Sequence, residues 1–187
     1  MANPSSSLRY SSSYREEIQL ADGTPLVIRA LGPQDGGLLQ RHFEHLSEHS
    51  RYQRFLAGKS GLSARELEFY THPDGETHVA FVAVLAASPE EPVGIARFVR
   101  LAEDPAVAEP ALAVTDAMQS HGLGKLLIAR LVEAAKERGI ERLRWVMLQE
   151  NGSIRHLVEK LGTPLRSAVR GPTLTVETAV AERRRSA

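Results

Sequence analysis

One amphipathic helix set between strand-like runs narrows the fold more than any other feature of this chain. From Gly122 to Arg138, residues Leu123, Leu126, Leu127, Leu131, Ala134 and Ala135 recur at helical spacings, and Gly139 follows where a helix often ends in a left-handed residue. Glu109 to Thr115 before it and Ile140 to Leu148 after it read as strands. A strand, a helix and a strand in that order make a crossover, which sets two strands parallel and lays the helix on one face of the sheet. The other strand pairs are joined too briefly for that. Glu17 to Arg29 reads as a hairpin turning at Asp22-Gly23. His78 to Ala86 pairs with Val93 to Leu101 across Ser88 to Pro92, and Leu165 to Arg170 pairs with Leu174 to Val180 around Gly171-Pro172. Helical patterns begin near Pro33, carrying Leu38, Leu39, Phe43 and Leu46, and at the capping box Ser63-Ala-Arg-Glu66; Gly152 to Leu161 supplies another. The order ββ, αα, βββ, α, β, α, ββ predicts an α+β fold, a mixed and mostly antiparallel sheet covered by helices.

The length, 187 residues, suits one domain, expected over 15–181. Six serines in residues 1–14 predict a flexible leader, and 182–187 a charged tail. Equal counts of 23 basic and 23 acidic side chains leave no electrostatic footprint for nucleic acid or an anionic membrane. No apolar run approaches the roughly 20 residues that span a bilayer. The N-terminus lacks a charged segment followed by an apolar one, so a cytoplasmic protein is expected. With no cysteine, the chain has no disulfide, no thiolate metal cluster and no acyl-cysteine intermediate.

The chemistry concentrates in Ala108 to Lys125, a strand, a turn and the start of the long helix. The turn holds Gln119, Ser120, His121, Gly122, Leu123 and Gly124, with Lys125 next. Glycines at a helix start let a phosphate approach the backbone, where unpaired N–H groups and the positive helix end bind it. A simple strand-to-helix turn accounts for the same glycines. The segment has neither the Lys-Ser/Thr ending of a P-loop nor all three glycines of a dinucleotide fold.

Gln119-x-x-Gly122-x-Gly124 resembles the signature of the GNAT family of acyl-CoA-dependent N-acyltransferases, and the element order fits that fold from about residue 25 to 180. The resemblance implies that Gln119 to Lys125 holds the pyrophosphate of acetyl-CoA and that the backbone of Ala113 and Val114 pairs with its pantetheine arm. Asn151-Gly-Ser-Ile-Arg-His-Leu-Val-Glu-Lys-Leu-Gly162 is similar to a second family element, which implies that Asn151 and Ser153 face the coenzyme; an asparagine cap on an amphipathic helix is the alternative. Leu46 to Phe55 together with Ala108-Glu109 resembles the bacterial protein-lysine acetyltransferases that modify acyl-CoA synthetases. That likeness implies Glu109 as the base and a protein lysine as leading acceptor, a small-molecule amine second. A lysine amine, with a pKa near 10.4, needs such a base at neutral pH. An edge-strand surface charge, next to Pro110, is the plainer reading of Glu109. The family's tyrosine acid has no counterpart here, because all four tyrosines precede the second motif. The nucleotide-sensing and synthetase-like domains often fused to those relatives are not expected in this chain.

Three other readings stay open. His45-Leu-Ser-Glu48-His49 matches a zinc-hydrolase pattern, with His42 adding a third imidazole at i, i+3 and i+7, although the serines at 47 and 50 predict that the helix ends inside it. A non-catalytic acyl-CoA sensor would keep the same turn, and a homodimer is an admissible assembly. Arg51 and Arg54 either attract an acidic acceptor or, the preferred reading, lay their stems along the core beside Tyr52 and Phe55, and Trp145 is expected to be core or interface.

Overall fold

A computed structural model describes residues 8–162 and 164–180. Its eight strands form one sheet in the order β1-β2-β3-β4-β5-β6-β8-β7. These are β1 (Arg15–Gln19), β2 (Pro25–Ala30), β3 (His78–Leu85), β4 (Ser88–Arg100), β5 (Val107–Val114), β6 (Arg142–Leu148), β7 (Arg166–Arg170) and β8 (Thr173–Ala179). Every neighbouring pair is antiparallel except β5 and β6, which are parallel, as a single crossover requires. The helix that makes the crossover is α4 (Leu123–Glu137). The fold is the mixed, mostly antiparallel sheet with helices that the sequence predicts.

Alternation along the strands sorts the side chains into two layers. On one face, Leu26, Ile28, Phe81, Phe98 and Ala108 meet Leu127, Ile128 and Leu131 of α4. Full burial of a leucine of this kind contributes about 1.5–3 kcal/mol. On the other face Val27, Ala80, Val82 and Val84 meet Leu38 and Leu39. Those two belong to α1 (Gly36–Glu44), followed on the same side of the chain by α2 (Glu48–Phe55) and α3 (Ala64–Thr71). Between β6 and β7 runs α5 (Gly152–Glu159).

Three expectations change. The packed region begins before residue 15: Tyr10 and Tyr14 are only 4% and 6% exposed and pack against Phe81 at tilted and edge-on angles. Glu137 accepts the backbone N–H groups of Arg9 and Tyr10, and the buried Arg138 donates to the Tyr10 carbonyl. These long-range bonds, invisible in a serine-rich composition, hold residues 9–14; residues 1–7 and the predicted tail 182–187 lie outside the described residues. Ser88 to Pro92 is strand rather than connection, because two bulges in the β3–β4 ladder carry the pairing on to Leu85 and Ser88. Three helices, not two, precede β3, since the pattern from Pro33 breaks at His45 and Ser47 starts a new helix as its cap. Trp145 is core, one of the two places expected for it, its indole N–H donating to the Thr178 hydroxyl at 3.0 Å.

Candidate active site

The parallel strands β5 and β6 pair only at Val107 with Arg142 and Ala108 with Leu143, then part. Beyond Ala108, β5 continues to Val114 bonded to β4 on one edge alone. Its other edge opens a cleft. Antiparallel ladders alternate, and Thr115 donating to Val93 and Leu101 to Val107 set the phase: odd-numbered residues of β5 bond β4, even-numbered ones face the cleft. The strand edge facing the cleft is therefore Leu112 and Val114. Ala113, expected there, has its backbone paired with Ile95 and turns its methyl group to the opposite face of the sheet.

The turn after β5 stands at the mouth of this cleft. Gln119, Ser120, His121, Gly122 and Lys125 are exposed, Gly124 is half-buried and Leu123 is buried in the core below. Ser120 and Gly122 both have left-handed backbones, with φ of 66° and 87°. Helices α2, α3 and α5 begin with a capping side chain, Ser47, Ser63 and Asn151, whereas Gly122 gives α4 none. Leu126 donates to the Gly122 carbonyl at 3.2 Å, so the N–H groups of Leu123, Gly124 and Lys125 have no acceptor within the helix. The two glycines do different work. At Gly122 a Cβ would meet nothing within 4 Å, so the positive φ explains the residue; at Gly124 a Cβ would sit 3.3 Å from Leu157 Cδ1 and 3.5 Å from Leu112 Cδ2. Gly124 thus keeps the helix close to α5 and β5.

A second network ties the turn to α2. Asp116 accepts from the Ser47 N–H at 2.9 Å, the Ser47 hydroxyl at 2.8 Å and the Ser50 hydroxyl at 2.9 Å. Partial burial raises the Asp116 pKa, but these bonds outweigh it and hold the carboxyl below its ordinary value. Gln119 donates to Ser50 at 3.2 Å and to the Val114 carbonyl at 3.3 Å, so its side chain braces the turn. His121 is bonded through Nδ1 to Asp22 in the β1–β2 turn. Asn151 spends its side-chain oxygen on the Ile154 N–H at 3.2 Å, which is the capping alternative, and Ser153 is exposed.

On the other face of β5 lies a cavity of about 40 Å³, lined by His42, Arg54, Tyr70, Arg97 and Ala113 among apolar side chains. Glu109 is exposed on the same face as Ala113, four residues earlier on the strand, and its charge acts on both Arg54 and Arg97. His42 is 4% exposed and its Nε2 has no hydrogen-bond partner among the described residues. Burial first, then the positive charges of Arg54 and His45, push its pKa down to about 4. Arg51 lies over the Phe43 ring at 4.5 Å and donates to two α1 carbonyls, a structural role.

The zinc pattern does not form one helical face. His45 ends α1 and Ser47 caps α2, so His45 and His49 stand on different helices. Among the described residues, no group of three or more His, Asp or Glu is placed to hold a metal ion.

Sequence reasoning missed Tyr70, Arg97 and Asp116, and met His42 only in the zinc pattern, as a metal ligand and not as a wall of this cavity. Asp116, three residues before Gln119, carried a local signal, since short acidic side chains commonly cap helices. Tyr70 and Arg97 come from separate elements and had none.

The chain belongs to the acetyltransferase (GNAT) family, whose pattern it matches over residues 41–163. It is 29% identical over 144 residues to acetyltransferase PA5475 of Pseudomonas aeruginosa, a match covering 76% of this chain and 77% of that protein. It is also 29% identical over 146 residues to acetyltransferase Pat of Mycolicibacterium smegmatis, covering 78% of this chain but 43% of Pat. The crystal structure of the GNAT domain of S. lividans PAT superposes with a TM-score of 0.80 at 28% identity, covering 88% of this chain and 96% of that one. The structure of yncA from Salmonella typhimurium with acetyl-CoA shares the fold, with a TM-score of 0.67 at 17% identity over 85% of this chain and 96% of that one.

Proposed function

We propose that the protein moves an acetyl, or a related acyl, group from coenzyme A to a primary amine, with a protein lysine the leading acceptor and the cytoplasm its compartment. The observation that carries this reading is the cleft between β5 and β6, which opens beside the exposed and uncapped start of α4. An acyl-CoA needs both parts: a strand edge for the amides of its pantetheine arm and an anion site for its pyrophosphate. Leu112 and Val114 supply the edge, and the first-turn N–H groups of α4, flanked by the exposed His121 and Lys125, supply the anion site. A balanced overall charge fits this arrangement, because backbone and helix geometry bind the anion without a basic surface.

Transfer is direct. The amine nitrogen forms a bond to the acyl carbon, the carbon–sulfur bond breaks, and the thiolate leaves and takes up a proton. Near pH 7 only about one lysine amine in a few thousand is neutral, given a pKa near 10.4. Glu109, on the cavity side of β5, accepts the proton either from the amine or through a water molecule. Tyr70 lines the same cavity, whereas Asn151 is engaged in capping α5.

The test has two parts. Calorimetry with acetyl-CoA reports binding, and thiol release with mass spectrometry of candidate proteins reports transfer to lysine. Glu109→Gln is expected to keep the coenzyme affinity while turnover falls about 10²- to 10⁴-fold. Unchanged turnover removes Glu109 from the mechanism, and acetylation of small amines with no protein acceptor moves the acceptor class to small molecules.

A further inference from the structure

The cavity beneath β5 holds two positive charges that the transfer chemistry leaves unexplained. Arg54, near the end of α2, and Arg97, in the middle of β4, both line it. Among the other half-buried arginines, Arg29 meets Asp35, Arg130 meets Glu16 and Arg144 meets Glu177, while Arg51 and Arg100 donate to backbone carbonyls. Arg54 and Arg97 have no ion-pair partner among the described residues, and the Nε of Arg97 is buried without any hydrogen bond. Aromatic faces hold them instead. The Arg97 guanidinium lies 4.3 Å from the Tyr70 ring centroid and 5.5 Å from that of Phe69, and Arg54 lies 4.9 Å from Phe55. A guanidinium seated on a ring is fixed in orientation while its N–H edge stays available in the plane, the geometry that takes a carboxylate by two parallel hydrogen bonds.

Two like charges at one wall destabilise each other unless an anion joins them. Burial, then the charge of Arg97, pulls the Arg54 pKa down to about 10, and the charge of Glu109 offsets only part of this. His42 is held neutral at physiological pH and brings no compensating charge. The cavity also reaches Ala113, on the strand whose other edge faces the coenzyme cleft. A group seated between the arginines therefore lies on the acceptor side of the acyl site.

We propose that Arg54 and Arg97 form a carboxylate subsite for the acceptor, so that the amine acylated by this protein carries a carboxylate close by. That carboxylate belongs either to a free amino acid or to an acidic side chain flanking the modified lysine. The role in catalysis rests on the transferase reading above; the binding of a carboxylate does not.

The experiment uses the full chain and two pairs of acceptors: a free amino acid against its amide, and a lysine peptide with aspartate neighbours against the same peptide with alanines. Thiol release from acetyl-CoA is expected to favour the carboxylate-bearing member of one pair by about tenfold or more in kcat/KM, and the responding pair identifies the source. Arg54→Gln and Arg97→Gln each bring the preference to near unity while leaving acetyl-CoA affinity unchanged, and Arg97→Lys, which keeps the charge without the fork, restores part of it. Independently of transfer, titration with glutarate is expected to show saturable binding that glutaramide lacks and that Arg54→Gln abolishes. A chain that releases no thiol but binds glutarate through Arg54 keeps the subsite and loses the transferase reading. Where thiol is released, no preference in either pair or a preference that survives both glutamine variants overturns the subsite, and so does the absence of glutarate binding in any case.

Discussion

Replacing Gly122 and Gly124 in turn separates two reasons for having a glycine at the start of a helix. At Gly122 the φ is +87° and a Cβ would meet nothing within 4 Å, so Gly122→Ala costs only what a left-handed backbone costs a residue with a side chain. That is about 1–2 kcal/mol. For a chain of this size each kcal/mol lowers the melting temperature by about 2–4 °C, so a fall of about 2–8 °C is expected. Any relaxation of the turn toward negative φ also swings the first N–H groups of α4 away from a bound pyrophosphate. Loss of one such bond, about 1 kcal/mol, weakens coenzyme affinity about fivefold. Gly124 is different. Its φ is ordinary, and the new methyl group would press on Leu157 Cδ1 at 3.3 Å, the far end of a flexible side chain. A gain of up to about 1 kcal/mol in helix propensity opposes that crowding, so Gly124→Ala is expected within about 1 kcal/mol of the parent. Gly122→Asn, a residue that tolerates the left-handed region, should recover much of the loss. Thermal unfolding and calorimetry with coenzyme A measure both effects. Equal stability of Gly122→Ala and the parent, or greater harm from Gly124→Ala, would refute the assignment.

Asp116→Ala removes three hydrogen bonds between the coenzyme turn and the start of α2 and should raise the KM for acetyl-CoA severalfold, with a stability loss of about 1–2 kcal/mol read by denaturant melts. Trp145→Phe strands the buried Thr178 hydroxyl, and chemical denaturation should report about 1–3 kcal/mol of destabilisation. The buried imidazoles His42 and His78 both have pKa values lowered to about 4, chiefly by burial, against an unfolded value near 6.5. The unfolded chain therefore binds the extra protons first as pH falls. Stability is expected to decline between pH 6.5 and 4 by about 1 kcal/mol per pH unit per imidazole, and replacing His42 by Gln should flatten that slope. A denaturant midpoint unchanged across this window in the parent protein would contradict the burial argument.

Local signals were legible wherever a few neighbouring residues carry them. The apolar face of α4, the Ser63 capping box, the Asp22-Gly23 turn and the glycine C′ position after α4 are all encoded within a turn or two of backbone, and each stands where the periodicity put it. The break between α1 and α2 was half legible: Ser47 announced a helix boundary, but whether a second helix followed depended on Asp116, far along the chain, binding its cap. Likewise the serines of residues 11–13 conceal the fact that Tyr10 and Tyr14 find a pocket beside Phe81.

The sequence by itself determined the fold class, the single crossover and the glycine turn at its start, because hydrophobic period, caps and turn residues act over short stretches of chain. Only the tertiary structure decided which backbone groups of β5 face the cleft, since a ladder's phase comes from its partner strand and one step of register turns Ala113 away and Leu112 toward it. The tertiary structure alone likewise made the cavity beneath β5. His42, Arg54, Tyr70, Arg97 and Ala113 lie on two helices of the same side, a third helix and two strands, and nothing local relates them. They meet because the sheet must bury both faces, and the helices that cover one of them bring charge and aromatic rings against the strand that runs along the cleft.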